Sequence, residues 1–300
     1  MKLRALIKTA RPSHWSKSSF VLAPLVFSRS LENLESILSA LVAAALFSLA
    51  ASGVYFVNDA CDARRDSRHP VKSGRPVATG CISQSQAGIY GVALMALATT
   101  LALLVNPGLA AVLGSYTILN VIYSFYLKRF ALVDIMVISG GFVLRTVAGA
   151  LAIGVTISVW LLVCTFFVAL LLAAGKRRIE IATVSNHSAE TRPSLNRASI
   201  AFFDTVVSGA AGATMVFYTL YTLAPETSDK FGGRGLILTM PFVVYGVWSY
   251  VQMLHSKQAV ENPAEALLQN RGIQAAVFAW GLLVILIVYG FGADLSGFIQ

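Results

Sequence analysis

The 300-residue chain is 56% hydrophobic and only 12% charged, where a soluble domain carries about 25% charged residues. That leaves too little polar surface to cover a globule in water, so a soluble enzyme or binding module is excluded and lipid becomes the expected solvent. The net charge of +9 is distributed around apolar runs and forms no basic face on a soluble module, which argues against nucleic acid as a partner. Cys61, Cys81 and Cys164 are odd in number and lack CxxC spacing, so neither a disulfide framework nor a zinc site is expected.

In chain order, the N-terminal arm is interrupted by Lys2, Arg4, Lys8 and Arg11 and reads as no cleavable signal. Nine candidate spans follow, at 16–31, 36–57, 84–104, 109–126, 131–153, 156–175, 199–223, 235–255 and 273–292, each near the length that crosses a bilayer core. The first is short and carries Pro24, so a re-entrant or interfacial helix is the rival reading there. With no linker or second composition regime, the expectation is one all-α domain over 1–300, a polytopic membrane bundle of about nine transmembrane helices.

Nineteen of the 23 Lys and Arg residues fall in the N-terminal arm and in the loops 58–83, 127–130, 176–198 and 256–272. The opposite loops hold Arg29, Lys230 and Arg234. This asymmetry predicts a multi-pass protein of the cell (inner) membrane with a cytoplasmic N-terminus, an external C-terminus and an active site facing the cytoplasm.

The loop after the second candidate span begins Asn58-Asp59-Ala60-Cys61-Asp62-Ala63-Arg64-Arg65-Asp66. Aspartates at i, i+3 and i+7 on a continuing helix share one face. Their mutual repulsion is relieved by a divalent cation, and hard oxygens that fill only part of a metal shell suit magnesium. Asp59, Asp62 and Asp66 are therefore the candidate catalytic and metal-binding residues. Arg64, Arg65, Arg68, Lys72 and Arg75 supply donors for phosphate oxygens beyond the metal. The bland reading, a solvated loop obeying the positive-inside rule, weighs more for the arginines than for three evenly spaced aspartates.

These residues resemble the first Asp-rich motif of the UbiA-type prenyltransferase superfamily, intramembrane enzymes of nine helices that bind a magnesium diphosphate. Finer features resemble its decaprenyl-phosphate phosphoribosyltransferase branch. Arg11-Pro12-Ser13-His14-Trp15-Ser16-Lys17 is similar to an RPxQWxKN opening, with His14 and Ser18 in place of Gln and Asn. His69-Pro70-Val71-Lys72-Ser73-Gly74-Arg75-Pro76 is similar to HPxKxxRP, and Tyr123-Ser124-Phe125-Tyr126-Leu127-Lys128 to YSxxLK. Gly175-Lys176-Arg177-Arg178-Ile179-Glu180 looks like a KRxxE-type segment, and Pro263 to Arg271 like P-x-E-x-x-L-x-D-R with Asn270 in place of Asp. Residues 176–198 contain no aspartate, whereas relatives acting on aromatic acceptors usually carry a second Asp-rich motif there. One Asp cluster with Lys176, Arg177 and Arg178 suits a second anion that needs no metal.

The resemblance implies phosphoribosyl diphosphate as donor, polyprenyl (decaprenyl) phosphate as acceptor, Mg2+ as cofactor and a role in cell wall lipid biosynthesis. The alternative is transfer of a prenyl chain from a prenyl diphosphate to an aromatic acceptor. A transporter is a third reading, but transporters place ionisable residues near mid-membrane and the main cluster here lies at the border. Asn58 is expected to orient the first turn of the site, with Lys17, Lys72, Arg75, Tyr123, Lys128, Lys176, Arg177, Arg178 and Glu180 binding substrate. Asp134 and Arg145 lie eleven residues apart on the fifth candidate span, roughly 16 Å along a helix. Arg145 is expected to reach a substrate phosphate, its alternative being a structural partner on another helix.

Overall fold

The computed structural model describes residues 2–68, 72–184, 199–256 and 270–290. The Pro263–Arg271 resemblance, the His69-Pro70-Val71 part of its motif and Arg192, Arg197 and Lys257 lie wholly or largely outside them. The described residues divide into two compact units, one within 2–157 and one beginning at Ser158. Eight helices among them are long and apolar enough to cross a membrane.

The first unit opens with α1 (Lys2–Ala10), a 3-10 helix over Pro12–Leu22 and the short α2 (Ala23–Phe27). The first candidate span is thus not a regular α-helix. Pro24 has no N–H to give the Phe20 carbonyl, which accepts from Ala23 instead, and the serines of Pro12–Leu22 are weak helix formers. Eleven residues at about 2.0 Å of rise plus five at about 1.5 Å still cover about 30 Å, a bilayer core. This segment runs antiparallel to α3 (Leu34–Asp66). Arg11 meets Asp59, Trp15 donates to Ser52 and Ser48 donates to Ser18.

The Asn33 side chain caps α3 by accepting from the N–H groups of Glu35 and Ser36, as a helix start requires. Its 33 residues make it about 50 Å long. The apolar run closes at Val57, so the turns from Asn58 to Asp66 project beyond the hydrocarbon and carry the charged residues. α4 (Gln84–Val105) begins with a capping box between Ser83 and Gln86. Asn106 alone links it to α5 (Pro107–Phe125), whose first N–H groups it caps. α3 and α4 touch backbone to backbone: a Cβ on Gly53 would meet the Gly91 carbonyl oxygen at 2.7 Å, and one on Gly91 would meet the Gly53 oxygen at 2.8 Å. Small residues permit that approach where lipid gives no hydrophobic drive. A 3-10 turn (Leu127–Arg129) leads to α6 (Ala131–Ala152). Val21, Phe47, Leu109, Leu113 and Ala148 form the fully buried centre of this unit.

The second unit comprises α7 (Val159–Val184), α8 (Ile200–Leu223), α9 (Pro225–Phe231), a 3-10 turn (Gly235–Thr239), α10 (Met240–His255) and α11 (Arg271–Val288). Phe203, Val207, Leu254, Val284 and Val288 are buried here. Tyr218 ties the elements together, receiving the Trp280 Nε1–H at 2.8 Å and lying 2.6 Å from the Thr239 hydroxyl. In both units large apolar side chains point outward, Leu104 being 80% and Phe278 72% exposed, as lipid contact demands.

Candidate functional site

The last turns of α3 bring Asp59, Asp62 and Asp66 to one face, and all three are buried, at 2%, 5% and 5% exposure. Buried carboxylates must be paired, and four cations from four stretches of chain do so. Asp59 Oδ1 accepts from Arg11 at 2.6 Å and Arg75 at 3.1 Å. Asp62 Oδ1 accepts from Arg65 and Lys128, each at 2.7 Å. Asp66 Oδ2 accepts from Arg75 at 2.7 Å. The expected repulsion among the aspartates is therefore relieved by side chains of the chain itself. The 3-10 turn carrying Lys128 and the α1 end carrying Arg11 lie at the same end of this unit as the loop carrying Arg75. Lys8 Nζ adds a bond to the Gly74 carbonyl at 2.8 Å.

One oxygen of each carboxylate makes these contacts, and among the described residues the second takes no hydrogen bond. Asn58 Oδ1, next in the row, is a buried acceptor without a partner. This set of oxygens, with no sulfur or imidazole, is the chemistry of a hard divalent cation. No cluster of three or more acids, histidines or cysteines closes around a metal among the described residues. Magnesium is commonly held by one or two carboxylates while substrate phosphates and water complete its shell. Four cations against three carboxylates leave one positive charge in excess, favouring a polyanionic ligand.

Arg11 was read from the sequence only as topology and motif, yet it is part of this constellation. Its backbone is left-handed, φ 54°, immediately before Pro12, a strained position that persists only where surroundings enforce it. The guanidinium also lies 4.8 Å from the Tyr55 ring centroid. Tyr55, one turn before Asp59, carries no charge, so the sequence offered no signal for it. Of the expected residues, Arg75 and Lys128 reach the aspartates directly, while Lys17 and Lys72 sit half-buried on 3-10 segments of the same unit.

Two of the expected residues have partners within the bundle. Tyr123 donates to Asp134 Oδ1 at 2.5 Å, joining α5 to α6. Arg145 is 5% exposed, donates to the Gly141 carbonyl at 2.9 Å and the Tyr116 hydroxyl at 3.1 Å, and lies within 5.3 Å of the Phe47, Tyr116 and Phe142 ring centroids. An aromatic cage carries its charge by cation–π attraction, and no carboxylate among the described residues pairs with it.

In the second unit, α7 stays helical through Val184, so Lys176, Arg177, Arg178 and Glu180 stand on a helix and not in a loop. Arg177, 3% exposed, donates to Glu180 at 2.7 Å. Arg178 pairs with Asp204 and donates to the Leu254 carbonyl. Arg178 thus fastens α7 to α8 and caps α10. Asp204, which also lies 3.3 Å from His255 Nε2, was not singled out because it follows the 176–198 segment as a lone aspartate.

A family profile described as the UbiA prenyltransferase family matches residues 19–270. The chain is 33% identical over 290 residues to a decaprenyl-phosphate phosphoribosyltransferase of Corynebacterium glutamicum, covering 95% of this chain and 86% of that protein. It is 32% identical over 290 residues to the protein of the same name from Mycolicibacterium smegmatis, covering 92% and 89%. Its fold is similar to that of a UbiA homolog from Archaeoglobus fulgidus solved with GPP and Mg2+, with TM-score 0.68, 17% identity and coverage of 96% and 99%.

Proposed function

We propose that this chain, which belongs to the UbiA prenyltransferase family, is a multi-pass membrane transferase that moves 5-phosphoribosyl from phosphoribosyl diphosphate to a polyprenyl phosphate of the decaprenyl class. The likeness to two decaprenyl-phosphate phosphoribosyltransferases over most of their length supports this choice of substrates. The carrying observation is the row of carboxylate oxygens at Asp59, Asp62 and Asp66, each half-engaged, beside the unpartnered Asn58 Oδ1 and within reach of more cations than anions. We read residues 1–300 as one transmembrane domain comprising both units, with the N-terminus and the site on the cytoplasmic side.

When bound, magnesium would be held from the Asp59, Asp62 and Asp66 row beside Asn58 and would supply charge neutralisation for the diphosphate leaving group. Arg11, Arg75 and Lys128, already at the carboxylates, are placed to exchange them for diphosphate oxygens and to hold the group in line. Lys17 and Lys72 supply further cationic donors, and Lys176 serves the second anion. The bond from ribose C1 to the diphosphate oxygen breaks with its electron pair leaving on diphosphate, and an oxygen of the lipid phosphate bonds to C1. A phosphate monoester is ionised at pH 7, so no strong base is needed and catalysis comes from positioning and charge stabilisation.

The test is turnover by purified protein with Mg2+, labelled phosphoribosyl diphosphate and decaprenyl phosphate. The expected result is a labelled lipid-extractable product that disappears with EDTA. Turnover of a prenyl diphosphate with an aromatic acid, and none of phosphoribosyl diphosphate, would overturn the substrate assignment and keep the Asp-rich site.

A further inference from the structure

α1 has an exposed face whose two halves differ in chemistry. At 100° per residue, Ala5, Leu6, Thr9 and Ala10 turn inward. Thr9 is fully buried, and Ala5, Leu6 and Ala10 pack on the cluster of Phe56, Ala63 and Val77. The outward half carries Leu3 and Ile7, 71% and 52% exposed, side by side at i and i+4. Next around the helix come Arg4 and Lys8, both exposed. The depth of this face is fixed by its neighbours. α1 packs where α3 passes from Phe56 to its charged turns, Lys8 bonds the Gly74 carbonyl at 2.8 Å, and Arg11 holds Asp59. At that level the apolar run of α3 closes at Val57, where the edge of the hydrocarbon is expected.

We propose that this face of α1 docks on anionic phospholipid at the bilayer surface, with Leu3 and Ile7 entering the acyl region and Arg4 and Lys8 meeting headgroup phosphates. Charge complementarity selects the occupant. A zwitterionic headgroup gives two adjacent cations no net attraction, whereas an anionic surface attracts each nearby Lys or Arg. An aqueous protein partner would leave Leu3 and Ile7 pointing at lipid. The bound lipid therefore lies beside the mouth of the Asp-rich site, tied to it through Lys8 and Arg11.

The experiment is hydrogen exchange on the full chain in nanodiscs of phosphatidylcholine with and without phosphatidylglycerol. It contains no turnover step, so its failure is distinct from failure of the transferase reading. The expected result is exchange over residues 2–10 slowed about tenfold by phosphatidylglycerol, reversed by high salt and abolished in the Arg4→Gln/Lys8→Gln double variant. Exchange over 84–105 in that variant should match the parent, which shows that the fold is intact. Leu3→Ser/Ile7→Ser should lose the same protection while keeping both cations. Equal exchange in both discs, protection that persists in either variant, or protection given by added polyprenyl phosphate and not by phosphatidylglycerol would overturn the proposal.

Discussion

At Asp62 two cations, Arg65 and Lys128, converge on a single carboxylate oxygen, and the two partners differ in what they can do. Arg65 is one turn along the same helix and 28% exposed, whereas Lys128 comes from a distant turn and is 7% exposed. Replacing Lys128 by Met leaves a buried carboxylate with half its neutralisation, a loss of about 3 kcal/mol that a thermal melt in detergent would register. An unchanged melting temperature would show that Asp62 does not depend on it. Asp59→Asn and Asp62→Asn act on chemistry instead. Each should cut turnover by at least roughly 100-fold while the protein still inserts and purifies as a folded species. Full activity in both would remove the metal-site assignment.

Between elements, the close approaches are made by residues without side chains. Gly149 lies so near the 3-10 segment that a Cβ would overlap the Val21 carbonyl oxygen and stand 2.8 Å from its carbon. Gly149→Ala should therefore force Pro12–Leu22 away from α6 and lower stability by about 3 kcal/mol. Gly140, on the same helix with nothing within 4 Å of its would-be Cβ, is the control. Gly140→Ala should be neutral or slightly stabilising because alanine is the better helix former. Similar melting temperatures for the two variants would show that the 3-10 segment is not held against α6. The segment matters to the site because Arg11 immediately precedes it, with a left-handed backbone set by the turn from α1 into Pro12–Leu22.

Over the whole molecule, the basic asymmetry and the packing of the first unit agree on one point. Arg11, Arg75 and Lys128, drawn from three segments that the positive-inside rule assigns to one side of the membrane, meet the same row of three aspartates. Cys61 and Cys81, both exposed, lie within that border region and offer a direct check of orientation. In oriented membranes, a membrane-impermeant maleimide should label Cys81 from the cytoplasmic side and not from the outside. Labelling from the external side alone would invert the topology and carry the Asp-rich site with it.

The sequence by itself determined the solvent, the helices and the spacing of the acidic row. Apolar length is a local property, so eight of the nine candidate spans coincide with helices to within a few residues, except that α3 and α7 run on past the C-terminal ends of theirs. Aspartate spacing is local too, since a helix has a fixed turn, and Asp59, Asp62 and Asp66 needed only α3 to continue past Val57. What remained for the tertiary structure were the partners. Hydropathy and periodicity do not separate Arg11, Arg75 and Lys128 from Arg64, Arg129 or Arg178, and only packing brings the first three to the carboxylates and turns Arg178 toward Asp204. The 3-10 path of Pro12–Leu22 likewise depends on Gly149, which lets that segment lie against α6. A charge's partner is set by distance in three dimensions, and hydropathy and helical periodicity carry no information about which distant turns that distance will join.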